Sequence, residues 1–217
     1  MTRGITRRRA ETRQRLIEAA YATFSETGIR DTPVELICER AGFTRGAFYS
    51  NFASKEELFL AVYEVQMGDR ADRLRAAVES ALAAADPSDG DSVATVLREA
   101  AALFMESPAA DETWYLLNAE FRAQALRQPE LRASTAAAER VFHDALAPLL
   151  QDMLDRLGLR LTVDPHAAVI TIITLYETML QRALLNETPS TADNSFLTEV
   201  LPRVLAALVT LKTGEPS

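Results

Sequence analysis

The chain has 217 residues, with 23 Lys and Arg against 31 Asp and Glu, and its formal net charge of −8 argues against a general nucleic-acid coat. Hydrophobic residues make up 48% and charged residues 25%, with only 8 Gly and 9 Pro, which excludes a disordered or collagen-like chain. The single cysteine, Cys38, excludes an intramolecular disulfide and a thiolate zinc cluster, and no stretch reaches the roughly 18 consecutive apolar residues of a membrane span, so a cytoplasmic protein without a membrane partner is expected.

The charge is unevenly spread. Residues 1–55 hold 10 Lys and Arg against 6 Asp and Glu, a balance of +4, while residues 56–217 hold 13 against 25, a balance of −12. The cations begin in an N-terminal arm containing Arg3, Arg7, Arg8 and Arg9, a local patch suited to phosphate despite the acidic total.

In chain order, the first expected helix is Glu11 to Thr27, with Leu16, Ala20 and Phe24 on one stripe, Ile17 and Ala19 beside them, and Gly28 as its left-handed stop. A second follows Thr32-Pro33-Val34-Glu35, where Thr32 is placed to cap and Glu35 to close a capping box. Its inward face is Ile37, Cys38 and Ala41, and Gly42 ends it. Phe43 then packs inward, and Thr44 caps a short helix, Arg45 to Asn51, whose Phe48 begins an i, i+4 pair with Phe52 facing the core.

The opposite face of that short helix carries Arg45, Gly46, Tyr49 and Ser50. Two short helices joined by a glycine turn and backed by a longer one form a helix-turn-helix arrangement, whose second helix enters the DNA major groove. Arg45 can pair with a guanine edge or a phosphate, Gly46 and Ala47 permit close backbone approach, and Tyr49 and Ser50 can hydrogen-bond phosphate oxygens. The next helix opens with Ser54-Lys55-Glu56-Glu57, a second potential capping box. Lys55 opposes the helix dipole there, which favours an anion approaching that end.

The run from Thr32 through Phe52, TPVELICERAGFTRGAFYSNF, followed by Ser54-Lys55-Glu56-Glu57-Leu58, resembles the DNA-binding domain of TetR-type transcriptional regulators. The resemblance covers about the first 60 residues. It implies a homodimer whose helix-turn-helix units bind a near-palindromic, double-stranded operator, with Thr32, Thr44, Arg45, Gly46, Tyr49, Asn51 and Lys55 at the contact surface. Cys38 stands where the family usually has alanine, and Ser50-Asn51 where an aromatic and histidine pair is common.

Beyond Leu58 helical spacing continues, over 58–85, 92–107, 111–127, 129–157, 165–186 and 194–212. The expected fold is therefore all-α, with about nine helices and no sheet. Its domains are a helix-turn-helix domain with the basic arm, 1–55, and a helical effector-binding and dimerisation domain, 56–217.

The stretch Ala167 to Leu180 carries one charge, Glu177, and is apolar on all sides, which requires burial on all sides. Ile172, Tyr176 and Leu180, with Leu201, Leu205 and Leu208 on the last helix, are the expected dimer interface, arranged as a four-helix bundle about a two-fold axis. Phe104, Trp114, Tyr115, Asn118, Phe121, Phe142, Tyr176 and Met179 are candidates for a pocket that takes a small hydrophobic or aromatic effector. Glu120 and Glu177 interrupt apolar faces, and Arg122, Arg127 or Arg182 is the partner expected for them.

No pattern points to an enzyme, a metal or a cofactor. His143 and His166 lie 23 residues apart, and neither a phosphate-binding glycine loop nor a Gly-x-Ser-x-Gly elbow occurs. A regulator that represses until an effector releases it is the function expected, against a helical small-molecule binder or an architectural DNA-binding protein as alternatives.

Overall fold

The computed structural model describes residues 2–84, 108–186 and 200–211. Among them are eight helices: α1 (Thr2–Thr27), α2 (Val34–Ala41), α3 (Arg45–Tyr49), α4 (Lys55–Ala84), α5 (Pro108–Arg127), α6 (Pro129–Arg156), α7 (Pro165–Leu185) and α8 (Leu201–Leu208). The helix expected over 92–107, with Phe104, lies outside the described residues.

Two differences from expectation concern the chain's ends. Helix α1 begins at Thr2 rather than Glu11, so the basic arm is a helical extension. Arg7 and Glu11 pair at 3.0 Å one turn apart, Arg7 to Ala10 are good helix formers, and no proline stops the helix further back.

At the other end the chain leaves α8 at Leu208 and forms a short strand, β2 (Val209–Leu211), antiparallel to β1 (Leu159–Leu161) with Leu159 opposite Leu211 and Leu161 opposite Val209. The all-α reading therefore holds apart from one two-stranded ladder. Three residues are too few to display a period of two, but Gly158, at φ 71°, turns the chain out of α6, and Leu159, Leu161 and Val209 cover an apolar cluster formed by Val78, Ala81, Met153, Leu154 and Leu157.

The residues pack as two compact units that interleave along the sequence: Met1–Met67 with Leu116–Glu139, and Gly68–Tyr115 with Arg140–Ser217. The first unit thus draws in residues 116–139, far beyond a boundary at 55. Its core is the expected stripe of α1, namely Leu16, Ile17, Ala20 and Phe24, against Ile37, Cys38 and Ala41 of α2, Phe48, Phe52, and Phe59 and Val62 of α4. Phe121 of α5 completes it, stacked on Phe59 with ring centroids 4.3 Å apart.

In the second unit Tyr176 and Leu180 of α7 and Leu205 of α8 form a buried cluster, with Tyr115, Leu150, Ile172, Leu175 and Met179 packed on it. Tyr176, Leu180 and Leu205 are thus core of the single chain rather than surface offered to a second one, and Leu208 is half-buried. For Leu201 no side-chain environment is described.

Helix α7 has 21 residues and is long and apolar enough to cross a bilayer by length and composition, yet only 22% of its most apolar stretch is buried within the chain. Thr171, Thr174 and Thr178 interrupt the consecutive apolar count that the sequence offers. Each satisfies its hydroxyl on the carbonyl four residues back, at 2.8, 2.8 and 2.7 Å, and so adds little polarity.

Candidate nucleic-acid interface

The turn into α2 departs from the expected capping box. Pro33 is the N-cap and offers no side-chain hydrogen bond, while Thr32 is 1% exposed with its hydroxyl on the Gly28 carbonyl and against the Thr27 hydroxyl. Thr32 therefore neither caps α2 nor presents its side chain to solvent. Its hydroxyl is drawn back because Gly28, at φ 78°, folds the turn over the end of α1.

Glu35, freed from capping, pairs with Arg45 across the helix-turn-helix, Oε1 to Nη1 at 2.7 Å. Gly42 makes this crossing possible. It sits at φ 73°, and a Cβ there would lie 3.1 Å from Arg15 Nη2.

Helix α3 starts as expected, with Thr44 Oγ1 accepting from Ala47 N at 3.3 Å. Phe48 is fully buried, and Thr44, Arg45, Gly46 and Tyr49 are exposed, Tyr49 to 51%, with Ala47 half-exposed. The Arg45 guanidinium lies 5.8 Å from the Tyr49 ring centre. Tyr49 first, then the Glu35 carboxylate, stabilise its charge. An arginine held between a carboxylate and a ring keeps donors for a guanine edge or a phosphate without having to be ordered first.

Ser50 and Asn51 are spent differently from expectation. Ser50 Oγ and Asn51 Nδ2 both donate to the Ala47 carbonyl at 2.8 Å, closing the end of a five-residue helix that would otherwise leave that acceptor open. Ser50 stays exposed and can still accept, whereas Asn51 is half-buried.

The arm's arginines also take distinct positions. Arg8 is exposed, Arg7 is held by Glu11, and Arg9 Nη2 donates to the Ser50 carbonyl at 3.1 Å, which ties α1 to the end of α3. Further along, Arg13 lies 4.5 Å over the Phe52 ring and Arg15 4.8 Å over the half-buried Phe43 ring.

Lys55 was expected to await an anion. Its Nζ instead donates to the carbonyls of Arg30 and Thr32, both at 2.9 Å, leaving one of its three N–H donors for a phosphate. The capping box beside it forms with a shift of one residue: Ser54 Oγ accepts from Glu57 N at 3.2 Å, and the Glu57 carboxylate accepts from Ala53 N at 2.6 Å. Burial alone would raise the Glu56 carboxyl, but its own backbone N–H, Ser54 and Gln124, with Lys55 alongside, hold it below its ordinary value.

Sequence reasoning flagged Glu120 but gave it the wrong partners. Its carboxylate accepts from two backbone donors of the turn after α1, Ile29 N at 2.9 Å and Arg30 N at 2.7 Å. Arg122 instead pairs with Glu139 at 2.6 Å. Cys38 is buried, and burial first, then Glu35, push its thiol up, against a small opposing effect of Arg45, so it is protonated and unreactive.

The candidate effector residues divide between the two units. Asn118 and Phe121 belong to the first, where Phe121 is 1% exposed and serves the Phe59 core. Trp114, Tyr115, Phe142, Tyr176 and Met179 belong to the second, and of these Tyr115, Tyr176 and Met179 share one cluster. Burial pushes the Tyr176 phenol up to about 12, with Arg70 pulling it down and Glu112 pushing it further up, so it remains a neutral hydrogen-bond donor at physiological pH. Among the described residues no group of three or more His, Cys, Asp or Glu side chains could hold a metal.

Comparison with known proteins agrees with this geometry. Residues 16–62 match the family described as bacterial regulatory proteins, tetR family. The HTH-type transcriptional regulator AcrR of Shigella flexneri is 37% identical over 65 residues, 30% of each chain, so this chain spans under a third of that relative's length. The HTH-type transcriptional repressor AcnR of Corynebacterium efficiens is 26% identical over 192 residues, 88% of this chain and 89% of the relative. The fold is shared with FadR of Bacillus subtilis, solved in complex with stearoyl-CoA, at a TM-score of 0.60 and 19% identity over 87% of this chain and 96% of that one. These relatives are regulators rather than enzymes. The helix-turn-helix segment 16–62 thus matches the tetR family of bacterial regulatory proteins, and the helical fold beyond it is similar to that of FadR.

Proposed function

We propose that the chain is a homodimeric transcriptional repressor of the cytoplasm that binds a near-palindromic operator through α3 and leaves it when a small hydrophobic or aromatic effector binds. The observation that carries this is the exposed face of α3: Arg45, Gly46, Ala47 and Tyr49 project from a helix whose other side is sealed by Phe48. Thr44, Arg8 and the remaining donor of Lys55 flank it as phosphate contacts, and Arg7 and Arg9 add charge. In this reading 1–55 carries DNA recognition, and 56–217 carries dimerisation and effector response.

Dimerisation is supported by α7, whose apolar side is left uncovered in one chain. Ile170 is 47% and Leu185 75% exposed there, and a second copy of the same helix would cover them about a two-fold axis. For the effector, the cluster of Tyr115, Tyr176 and Met179 offers apolar walls and two phenols. The FadR structure with stearoyl-CoA supports a hydrophobic ligand in a fold of this kind. Linkage then requires effector and operator to weaken each other by the same factor.

Selection of bound duplexes from a random pool tests the reading. Enrichment of two inverted half-sites, centred roughly 34–36 Å apart, is expected. An unenriched pool would exclude sequence recognition.

Lys55→Ala separates two roles for that residue. If its third donor meets a phosphate, every duplex binds more weakly by a similar factor, and the slope of log affinity against log salt falls by about 1. An unchanged slope would confine Lys55 to bracing the turn.

A further inference from the structure

The turn between α1 and α2 has an unusual source of order. Its N–H groups at Ile29 and Arg30 are both taken by one carboxylate, that of Glu120, whose residue lies 90 positions downstream of Arg30. Its carbonyls at Arg30 and Thr32 are both taken by the Lys55 ammonium, and its Gly28 carbonyl by the Thr32 hydroxyl. Five backbone groups of one short turn are thus held by side chains, and two charged residues, from α4 and α5, supply four of those bonds.

We propose that Glu120 is a positioning residue for DNA reading: by bracketing the turn opposite Lys55 it sets the angle at which α2, and hence α3, leaves α1. Ile29 is fully buried, so the turn cannot shift by rolling outward, and α2 starts at Val34, only four residues beyond Arg30. Glu120 is itself fixed by its own helix. Phe121 packs on Phe59, and Gln124, one turn beyond Glu120, donates from Nε2 to Glu56 Oε1 at 3.0 Å, so an i, i+4 pair ties α5 to the rest of the first unit.

The chemistry requires a carboxylate. Two parallel N–H donors need two acceptor oxygens, and Gln would turn its NH2 towards one of them. The fit is close as well: a Cβ on Gly28 would lie 3.1 Å from Glu120 Oε2, so a larger residue there would press on the carboxylate.

The proposal rests on the reading of α3 as the DNA reader, and the test keeps the two separable. In the full-length protein, affinity is measured for the selected operator and for a scrambled duplex of equal length, for the parent protein, Glu120→Ala and Glu120→Gln. Amide exchange at Ile29 and Arg30 is followed in parallel.

Glu120→Ala is expected to weaken operator binding at least tenfold while binding to the scrambled duplex stays within about twofold. Glu120→Gln should lie between, and exchange at both amides should quicken tenfold or more in Glu120→Ala. Loss of folded protein alone would lower both affinities together and leave their ratio unchanged, so an unchanged ratio in both variants overturns the proposal. Exchange unchanged at Ile29 and Arg30 overturns it too, since the bonds would then be absent in solution. If the parent protein does not distinguish the duplexes, the DNA-reading assignment falls and Glu120 positioning falls with it, a result visible before any variant is made.

Discussion

Phe59→Ala is expected to cost about 3–5 kcal/mol of folding stability. Phe59 is fully buried and lies between Phe24 of α1, with ring centroids 6.1 Å apart, and Phe121 of α5 at 4.3 Å. Removing the ring opens a cavity where three helices meet, and the aromatic pairing with Phe121 adds about 0.5–1.5 kcal/mol beyond area. The neighbours cannot collapse far, because Glu120 and Gln124 hold α5 in place on either side of Phe121 by their bonds to the 29–30 turn and to Glu56. Urea unfolding followed by far-ultraviolet circular dichroism measures the effect. Tryptophan fluorescence is a poorer probe for it, since Trp114 belongs to the second unit. A loss below about 1 kcal/mol would show that Phe59 is not the centre of this core.

Arg45→Ala is expected to reduce discrimination at one or two base pairs of the operator by about 1–3 kcal/mol, with a smaller loss on unrelated DNA. The guanidinium is the largest donor group on the exposed face of α3, and it is prearranged by Glu35 at 2.7 Å and by the Tyr49 ring. The Glu35 contact has its own consequence. Both partners are more than half exposed, so the pair adds little to folding stability. On DNA, however, its carboxylate stands against the phosphate field. Glu35→Gln should therefore leave unfolding unchanged, tighten binding to all duplexes and reduce the preference for the operator. Competition binding against operators altered one base pair at a time reads both effects. Equal losses at every position for Arg45→Ala would make Arg45 a phosphate contact only.

These residues show what the sequence could and could not reveal. The stripe of α1, the inward face of α2 and the Phe48–Phe52 pair were legible, because each is a local period whose burial follows from helix geometry. Gly28 and Gly42 were legible as stops for a similar reason, as left-handed positions at φ 78° and 73° that other residues resist. Thr32 misled because its sequence context satisfies a capping rule, while the buried hydroxyl found a nearer acceptor at Gly28. Ser50 and Asn51 misled because a five-residue helix consumes its own polar neighbours to close its last carbonyls.

Glu120 was visible only as an anomaly. Its partners are backbone N–H groups, which every residue but proline carries, so no residue type marks them in advance. The strand pair 159–161 and 209–211 was hidden for a different reason, since it joins two triplets about fifty residues apart and each is too short to show alternation. The expected charge division between an N-terminal head and the rest also needs restating structurally. Residues 116–139 pack with the head, so a fragment ending at 55 would lack Phe59, Phe121 and the Glu120 bracket.

The central claim is that this head reads DNA sequence and does not merely attract phosphate. The most direct measurement is an anisotropy titration of the full-length protein against its selected operator and a scrambled duplex, repeated between 50 and 200 mM salt, a range over which phosphate-driven affinity falls steeply. Both affinities should decline with salt at comparable slopes while the operator keeps an advantage of about 10³-fold or more throughout. Two curves that coincide at every salt concentration would contradict the account.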